Sequence, residues 1–421
     1  MSPLGLLYPI DTMELNEILT QAMAAGASDI HLKHGVMPVL RIHGKLTPID
    51  KKAKRLTGDE IAEMAAQIMN SNHRKKFADA HEVDMGYGVP GLGRFRVNIF
   101  QQRGTVAMVI RAIPFQIQSF EDLNLPSVIK KITVYERGLV LVTGITGSGK
   151  STTLASIIDY INNHRTGHIL TIEDPIEFLI RDRRSIINQR EIGLDTPNYS
   201  FALRQALRQD PDVILIGEMR DTETIKTAML AAETGHLVFS TLHTIDATET
   251  INRILASVEP HEQLQFRLQL AATLRAVISQ RLIPRADGKG VVPACEVMIV
   301  NARIRDMIVE PNKTREIIMA IEEAAETLGT QSFDQALMNL VQRKLINFDE
   351  ALASSTNADD FALRYKGVTS MDGKKWQGFE NSQGAIDLPE IDSIELQTMP
   401  KIKGENLTID DDEDDEEDDW T

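Results

Sequence analysis

The apolar positions in the first part of the chain alternate between helical and strand spacing. Leu15, Ile18, Leu19 and Met23 recur three or four residues apart, which predicts a first helix over residues 13–25. Strand-like alternation and one further, polar helix follow; the predicted strands are 29–33, 39–42, 94–100 and 106–110, and the predicted helix is 58–70. Helices mixed with antiparallel strands in this way indicate a small α+β domain, which we assign to residues 1–114.

From residue 138 the pattern changes to short continuous apolar runs, each followed by a helical pattern. The runs are 139–143, 168–172, 213–217 and 237–241. Strands of this kind are typical of a parallel sheet that is covered by helices on both faces. We therefore predict a connection over residues 115–137 and an α/β domain over residues 138–365. Its part after residue 260 is mostly helical, with a strand near 291–300. Residues 366–421 have few periodic apolar positions and are interpreted as a linker and a tail.

Charge changes the interpretation of that tail. The chain of 421 residues has a net charge of −16, and Asp410–Asp419 is an unbroken run of ten acidic residues. Such a run repels itself and buries nothing, so we expect it to be disordered, either as a solubilising end or as a docking segment for a basic surface. No basic tract of five or more residues is present, so no nucleic-acid partner is expected.

The cellular compartment is predicted from the single cysteine and from the first residues. Cys295 alone excludes an internal disulfide framework and fits a reducing compartment. The apolar stretch of residues 4–10 is interrupted by Pro9 and lacks the length and basic flank of a signal peptide or a spanning helix. We therefore expect a cytoplasmic protein.

The strand at 138–143 runs directly into Gly144-Ile-Thr-Gly-Ser-Gly-Lys-Ser151, which matches the P-loop pattern G-x-x-x-x-G-K-S/T and opens a helix. Glycines let the backbone turn its N–H groups toward phosphates, and the helix start adds a positive dipole end. Lys150 can reach the β- and γ-phosphates, and the Ser151 hydroxyl can bind Mg²⁺. The predicted ATP-binding residues are Gly144, Thr146, Gly147, Ser148, Gly149, Lys150, Ser151 and Thr152.

Hydrolysis also requires carboxylates, one for the metal and one for the attacking water. Glu218 follows the apolar strand of residues 213–217, which is the general form of a Walker B element. Glu177 lies shortly after the strand of residues 168–172. Open α/β sheets bind ligands at the carboxyl ends of their strands, so both are candidates. We interpret Glu173 and Asp174, which lie between that strand and Glu177, as structural.

Two histidines flank the strand of residues 237–241. His236 precedes the strand and His243 follows it. An imidazole at a strand end can sense the γ-phosphate, although a lone histidine is more often structural.

Together these segments resemble the motif series of the secretion ATPase superfamily, in order along the chain. The segments are residues 144–154, 170–178, 203–212, 217–221 and 231–243. Their amino-acid sequences are similar to those of the type IV pilus retraction ATPases, the PilT/PilU family, and the resemblance extends over residues 13–365. The acidic run is closer to PilU-type members, whereas residues 217–221 resemble PilT-type members, so the subgroup stays open.

The resemblance implies roles for individual residues. Glu177 would be the general base, Glu218 would bind the metal, and His236 and His243 would form the family's histidine box. Arginines of the N-terminal strands, Arg94, Arg96 and Arg111, would reach a nucleotide across a domain or subunit boundary and stabilise the charge of the transition state. Residues 271–280 resemble a C-terminal helix associated with retraction; the alternative is a plain core helix.

The resemblance also implies a fold and an activity. The fold is a RecA-like P-loop ATPase core with a smaller N-terminal PAS-like α+β domain. The implied protein is a homo-hexameric motor that uses ATP and Mg²⁺, lies at the inner membrane without spanning it, and acts on the pilus platform protein and indirectly on pilin. A paralogous retraction ATPase is a further implied partner.

Three rival functions remain at the level of sequence. A pilus assembly or type II secretion ATPase usually has an extra N-terminal domain and often a cysteine cluster, which this chain lacks. An accessory nucleotide-binding paralogue would not need its own turnover, yet Lys150, Glu177 and Glu218 are all present. A DNA translocase is disfavoured by the acidic composition.

Overall fold

The computed structural model of the chain describes residues 14–42, 44–50, 53–113 and 117–367. The predicted acidic tail lies outside these residues, as do the first thirteen positions. Within the described ranges, no helix combines the length and apolar character that crossing a membrane requires.

The first part of the described chain forms a six-stranded antiparallel sheet with three helices. Its elements are α1 Leu15–Ala24, β1 Asp29–Leu32, β2 Val39–Ile42, β3 Lys45–Pro48, α2 Gly58–Ile68, α3 Ser71–Ala80, β4 Glu82–Val89, β5 Gly93–Gln102 and β6 Thr105–Ile113. The strand order is β3-β2-β1-β6-β5-β4. Along β5, Phe95, Val97 and Ile99 are fully buried, so Arg94 and Arg96, which alternate with them, lie on the opposite face. Of these elements, β3, α3 and β4 were not predicted.

The second part is built on a seven-stranded sheet. Its elements are α4 Val128–Ile132, β7 Gly138–Thr143, α5 Lys150–His164, β8 His168–Glu173, β9 Ile186–Glu191, α6 Tyr199–Ala206, β10 Val213–Ile216, α7 Thr222–Glu233, β11 Leu237–Leu242, α8 Ala247–Leu255, α9 Gln263–Thr273, β12 Leu274–Pro284, β13 Val291–Ile299, α10 Ala302–Val309, a 3₁₀ helix Pro311–Glu316, α11 Ile317–Glu323, α12 Ala325–Leu328, α13 Phe333–Gln342, α14 Phe348–Ser354 and α15 Ala358–Tyr365. The strand order is β13-β12-β7-β11-β10-β8-β9.

Neighbouring strands of this sheet are parallel, except that β13 is antiparallel to β12. β7, β10 and β11 are buried along their whole length, because α4 and α5 cover one face and α6 to α11 cover the other. The predicted fold class, an α/β P-loop core with a smaller N-terminal α+β part, is confirmed. The proposed domain bounds at residues 114, 137 and 365 stay a prediction.

The expectation of a helix over residues 271–280 is wrong. The helix α9 ends at Thr273, and β12 begins at Leu274 and pairs with β7 on one side and β13 on the other. Ala276, Val277 and Ile278 are fully buried. A strand buried on both faces is a continuous apolar run, and apolar periodicity alone cannot separate such a run from a buried helix. The proposed retraction helix is therefore not formed by these residues.

Candidate active site

The loop after β7 depends on glycines at two crowded positions. Gly144 has a φ of 143°, and a Cβ there would lie 2.5 Å from the Gln280 carbonyl oxygen. Gly149 has a φ of 87° and is the residue that precedes α5. A Cβ on Gly149 would lie 2.8 Å from the Gln280 side-chain nitrogen. A larger residue at either position would therefore combine backbone strain with a clash, which explains why the P-loop pattern has glycine there.

The amino end of α5 is left open for an anion. Asn198, Asp221 and Asp246 accept hydrogen bonds from the first turns of α6, α7 and α8, respectively. Within the described chain, α5 has no such side-chain cap. Its first-turn N–H groups therefore keep their donor capacity, and together with the helix dipole they favour a phosphate.

Lys150 is the first residue of α5, and its side chain folds back onto the P-loop. Its ammonium group donates hydrogen bonds to the Gly144 carbonyl at 2.8 Å and to the Ile145 carbonyl at 3.0 Å. Burial lowers the pKa of Lys150, whereas the negative charges of Glu218 and Glu177 act in the opposite direction. The structure therefore brings both predicted carboxylates close enough to interact with the P-loop lysine.

Glu218 occupies the carboxyl end of β10, next to the end of β11. Its side chain is 19% exposed. One carboxylate oxygen lies 2.7 Å from Arg220 Nε, and the other lies 3.1 Å from His243 Nε2. The Thr241 hydroxyl donates to the Gly217 carbonyl at 2.7 Å and so fixes the two strand ends to each other. Glu218 and His243, which were predicted separately, are therefore in direct contact.

Glu177 lies on the turn after β8, and this turn is held by Glu173. The Glu173 carboxylate accepts hydrogen bonds from the Thr171 hydroxyl at 2.6 Å and from the Gln189 side chain at 3.2 Å. A longer contact of 3.5 Å joins it to the Glu177 backbone N–H. Burial raises the pKa of Glu173. Glu177 itself is exposed, so Glu173 supports the turn and Glu177 presents its carboxylate to solvent.

The sequence is similar to that of known secretion system proteins over most of its length. A protein-family model described as "Type II/IV secretion system protein" matches residues 8–327. The chain is 44% identical over 349 residues to the type IV pilus retraction ATPase PilT of Pseudomonas aeruginosa, and the match covers 83% of this chain and 100% of that protein. The chain belongs to the PilT/PilU family of type II/IV secretion system proteins. It is accordingly a nucleotide-binding ATPase.

Two further matches place the chain within the PilT/PilU family. It is 39% identical over 354 residues to the type IV pilus ATPase PilU of Pseudomonas aeruginosa, covering 84% of this chain and 92% of that one. A crystal structure of the pilus retraction motor PilT with bound ADP aligns with a TM-score of 0.76 and 44% identity, covering 82% of this chain and 98% of that chain. Both relatives match over nearly their full length, so the likeness includes the N-terminal sheet as well as the core.

In this PilT/PilU family member, two of the predicted arginines are paired within the N-terminal sheet. Arg96 Nε lies 2.9 Å from Asp84 of the neighbouring strand β4. Arg111 Nε lies 2.8 Å from Asp29 of β1, and the Arg111 side chain is 68% exposed. Hydrogen bonding to Asp84 raises the pKa of Arg96, and the charge of Glu177 adds to this effect. Of these two arginines, Arg96 is therefore the one whose charge reaches Glu177.

Arg94 connects the N-terminal sheet to the core. Its guanidinium group forms an ion pair with Glu191 at the end of β9, and the two side chains are 15% and 4% exposed. Glu191 also accepts hydrogen bonds from the N–H groups of Gly86 in β4 and of Ile176 in the turn after β8, both at 3.3 Å. One buried carboxylate therefore contacts the N-terminal sheet and the turn that carries Glu177.

The structure separates His236 from the other predicted residues. His236 precedes β11 and its carbonyl accepts the N–H of Gly138 at the start of β7, whereas the P-loop follows the other end of β7. At about 3.3 Å per residue, the six residues of β11 place His236 about 20 Å from His243. Its ring nitrogen Nδ1 lies 3.0 Å from the Ala231 carbonyl. Within one chain, His236 therefore lies near the end of β7 that is opposite to the P-loop, and its predicted role stays a prediction.

Gln280 is a site residue that the sequence interpretation missed. It lies in β12, is 3% exposed, and its side-chain N–H donates to the Ser148 carbonyl at 2.7 Å. Its side-chain oxygen accepts from the Thr153 hydroxyl at 2.8 Å. Gln280 therefore joins the loop to the first turn of α5. A polar amide shortly after the apolar residues 276–278 was the available signal, but the segment was assigned to a helix.

A cavity of 490 Å³ opens beside the P-loop. Its lining combines the connection before β7, the first turn of α5 and the β12–β13 hairpin. Among the lining residues are Leu123, Leu125, Gly149, Thr152, Thr153, Leu282 and Val291. Asp122, Arg285, Asp287 and Lys289 line the cavity as well, so its walls offer both apolar and charged contacts next to the phosphate-binding loop.

Proposed function

We propose that this chain is an ATP-driven motor that powers type IV pilus retraction, and hence twitching motility, as a homo-hexamer. The observation that carries the proposal is a complete P-loop whose Lys150 lies in electrostatic reach of both Glu218 and Glu177. This site occurs in a chain that aligns with the whole of a pilus retraction ATPase. The bound cofactors would be ATP and Mg²⁺.

The P-loop residues bind the phosphates. The open first turn of α5 supplies backbone N–H groups, and Lys150 supplies a positive charge to the β- and γ-phosphates. The cavity beside the loop, which is lined by apolar side chains and by charged ones such as Arg285 and Asp287, would receive the nucleotide base.

Mg²⁺ fits the donor set at this site. The Ser151 hydroxyl and the Glu218 carboxylate are hard oxygen ligands, which this ion prefers. Among the described residues, no group of three or more His, Cys, Asp or Glu side chains is arranged to hold a metal. A site with few protein ligands suits Mg²⁺, which keeps several waters and binds nucleotide phosphates directly. When bound, the ion neutralises charge on the transferred phosphoryl group.

Glu177 is the proposed general base for the attacking water. The Glu173 carboxylate contacts the backbone N–H of Glu177 and so supports its turn. The Glu177 carboxylate interacts with the positive charge of Arg96. Charge that develops on the γ-phosphate in the transition state would be stabilised by Lys150 and by arginines of the N-terminal sheet, Arg94, Arg96 and Arg111. Because these arginines pair with carboxylates in the described chain, they would have to change partners when the ring closes on ATP.

The proposed partners follow from the function. A retraction motor would act on the inner-membrane pilus platform protein and indirectly on pilin, and it would lie at the cytoplasmic face of that membrane without spanning it. His236 lies far from the P-loop of its own chain, so a role for it in hydrolysis would require the site of a neighbouring subunit.

The test is complementation of a strain that lacks the gene. Wild type and Glu63→Ala, a change on the exposed face of α2, are expected to restore retraction and twitching, and Glu218→Ala is expected to leave long pili that do not retract. Loss of surface pili in the deletion strain would show that the chain is an assembly ATPase instead. Full complementation by Glu218→Ala would show that its own hydrolysis is dispensable.

One second candidate is supported by an observation. The chain is 39% identical to PilU over 92% of that protein, so it could be a retraction ATPase that acts beside a paralogue. Retraction by this chain in a strain without any other retraction ATPase separates the two functions. Movement there supports the self-sufficient motor, and movement only when the paralogue is present supports the accessory role.

A further inference from the structure

Tyr199, the first residue of α6, directs its phenol toward the carboxyl ends of β8 and β10. A Cβ at Gly217 would lie 3.0 Å from the Tyr199 hydroxyl oxygen and 3.3 Å from the Ile172 carbonyl oxygen. The φ of Gly217 is not positive, so the missing side chain provides space here and not backbone freedom. The hydroxyl therefore lies beside the point where β10 leads into Glu218.

The ring and the hydroxyl of Tyr199 have different surroundings. The ring packs against the buried apolar cluster that includes Leu203, Ile216 and Ile225. A phenylalanine ring could make the same contacts, so packing does not require the hydroxyl. In the part of the chain that the structure describes, the hydroxyl forms no hydrogen bond. The edge of the sheet where hydrolysis is expected therefore contains a donor without a protein acceptor.

Several charged side chains lie within electrostatic reach of the phenol. Burial raises the pKa of Tyr199, and the negative charges of Asp174, Glu218 and Glu173 raise it further, whereas the positive charge of Arg220 lowers it. The phenol is therefore protonated at neutral pH and can donate a hydrogen bond to a carboxylate.

Of these three carboxylates, Asp174 is the one that forms no hydrogen bond or ion pair within the described residues. It is exposed and lies in the turn after β8, three positions before Glu177. The charge of Asp174 also acts on Arg96 of the N-terminal sheet and on Arg220 of the segment after β10. Asp174 is therefore an open acceptor that lies close to both of these segments and to Tyr199.

We propose that the Tyr199 hydroxyl donates a hydrogen bond to the Asp174 carboxylate when ATP is bound, and that this bond sets the turn after β8 in position for hydrolysis. Tyr199 is a positioning residue, because it acts on the reaction through the turn that carries Glu177. Hydrogen bonds of catalytic sites are often long without substrate and shorten in the complex. The proposal rests on the roles proposed above for Glu177 and Glu218.

A direct hydrogen bond from the phenol to the attacking water is the principal competing role. Such a water would lie next to Glu177, the proposed general base. Among the charged groups, Asp174 acts most strongly on the phenol, and Glu177 is not one of those that act on it. The contact with Asp174 is therefore favoured.

ATP hydrolysis by the full chain tests the proposal in a double-mutant cycle of Tyr199→Phe and Asp174→Ala. Tyr199→Phe keeps the ring and removes only the hydroxyl. Loss of a hydrogen bond to a charged group should lower kcat about tenfold, while the KM for ATP and the free energy of unfolding stay near their wild-type values. In the Asp174→Ala background the same change should lower kcat by less than about twofold, because the acceptor is already absent.

Tyr135→Phe is the matched control. Tyr135 is also partly buried, but it precedes β7, whose opposite end leads into the P-loop. Its kcat and KM are expected to equal those of wild type. Urea unfolding of all variants verifies that a loss of turnover in Tyr199→Phe does not come from a loss of folded protein.

A kcat for Tyr199→Phe within about twofold of wild type would overturn the proposal. An equal loss with and without Asp174 would also overturn it, and would favour direct contact with the attacking water. Glu218→Gln, measured in parallel, separates this proposal from the proposed site. If Glu218→Gln loses turnover and Tyr199→Phe does not, only the positioning role is wrong. If Glu218→Gln keeps wild-type turnover, the proposed site is wrong and the role of Tyr199 with it.

Discussion

The Glu218 carboxylate lies among nitrogen-containing side chains that come from three different segments. Arg220 follows it on the same turn, His243 faces it from the end of β11, and the charge of Lys150 reaches it from α5. Contacts with Arg220 and His243 fix the carboxylate in place, as a metal ligand requires. At the residue scale, Glu218 is therefore the most informative position to change.

We predict that Glu218→Gln lowers the kcat of ATP hydrolysis by about 100-fold or more while ATP binding changes little. The amide keeps the shape of the side chain, but it removes the charge that would bind Mg²⁺, and losses of this size are typical of a missing electrostatic contact in a transition state. Steady-state hydrolysis and binding of a fluorescent ATP analogue measure the two quantities. Glu63→Gln, on the exposed face of α2, is the control. A fall of less than tenfold would contradict the assigned role.

The place of a single residue in the site was predictable where the residue belongs to a local sequence pattern. Lys150 and Ser151 belong to a contiguous motif, and Glu218 directly follows an apolar strand, so their neighbourhood is set by a few residues of sequence. Gln280, by contrast, contacts Thr153 at the start of α5 although the two residues lie 127 positions apart in the sequence. For His236, the position next to a strand was visible, but which end of that strand lies near the P-loop depends on the pairing of β11 with β7.

At the scale of elements, β12 braces the P-loop and the start of α5 through Gln280. The side chain satisfies one carbonyl of the loop and one hydroxyl of the helix, and both lie in a dry environment. Leaving such groups unpaired costs about 1–3 kcal/mol each. The brace should therefore matter both for stability and for the shape of the loop.

We predict that Gln280→Leu lowers the free energy of unfolding by about 2 kcal/mol or more and raises the KM for ATP more than it lowers kcat. Urea unfolding and steady-state kinetics supply the two numbers. Gln331→Leu is the matched control, because Gln331 donates one hydrogen bond to the Cys295 carbonyl, away from the loop. The control should lose stability but keep its KM. An unchanged KM in Gln280→Leu would mean that the brace serves stability alone.

A buried carboxyl joins β13 to the start of α8. Glu296 is 2% exposed and accepts the Ala247 N–H at 2.8 Å. Burial raises the pKa of Glu296 to about 8. Because the folded protein then binds this proton more tightly than the unfolded chain does, the contribution of Glu296 to stability is complete below about pH 4.5 and is lost as the pH rises to about 8.

We predict that Glu296→Gln becomes more stable relative to wild type as the pH rises from 5 to 8, by a few kcal/mol at most. Glutamine keeps the acceptor for Ala247 but never ionises. Urea unfolding at several pH values gives the difference, and Glu259→Gln, an exposed residue before α9, should show no such trend. A constant difference between Glu296→Gln and wild type across this range would mean that Glu296 is already ionised in the folded protein.

Elements were predictable in proportion to how much of their pattern is local. The parallel strands around the P-loop were found because each is a short apolar run between turns. The strand β12 was missed since its residues 276–280 are all buried and it follows α9 without a break. The strand β3 was missed for the opposite reason, because its four residues are all exposed and show no alternation of burial.

At the scale of the whole molecule, the change from mixed to parallel strand patterns predicted two parts but not the contact between them. That contact includes Arg94 of β5 and Glu191 of β9, residues that lie 97 positions apart. A buried carboxylate held by one guanidinium and two backbone N–H groups is costly to leave without its cation. The N-terminal sheet is therefore coupled to the turn that carries Glu177, and the coupling can be measured.

We predict that Arg94→Met destabilises the protein by about 3–5 kcal/mol, because it leaves the Glu191 charge buried and unpaired. Adding Glu191→Gln removes that charge while keeping an acceptor for Gly86 and Ile176, so the double variant should regain much of the loss. Urea unfolding of the four proteins gives the coupling energy.

ATP hydrolysis then separates two roles for Arg94. If the double variant regains stability but not turnover, Arg94 also acts on the nucleotide, as its place in the N-terminal sheet suggested. If turnover returns with stability, the pair serves to hold the N-terminal sheet against the core, and transition-state charge must be stabilised by Arg96 or Arg111.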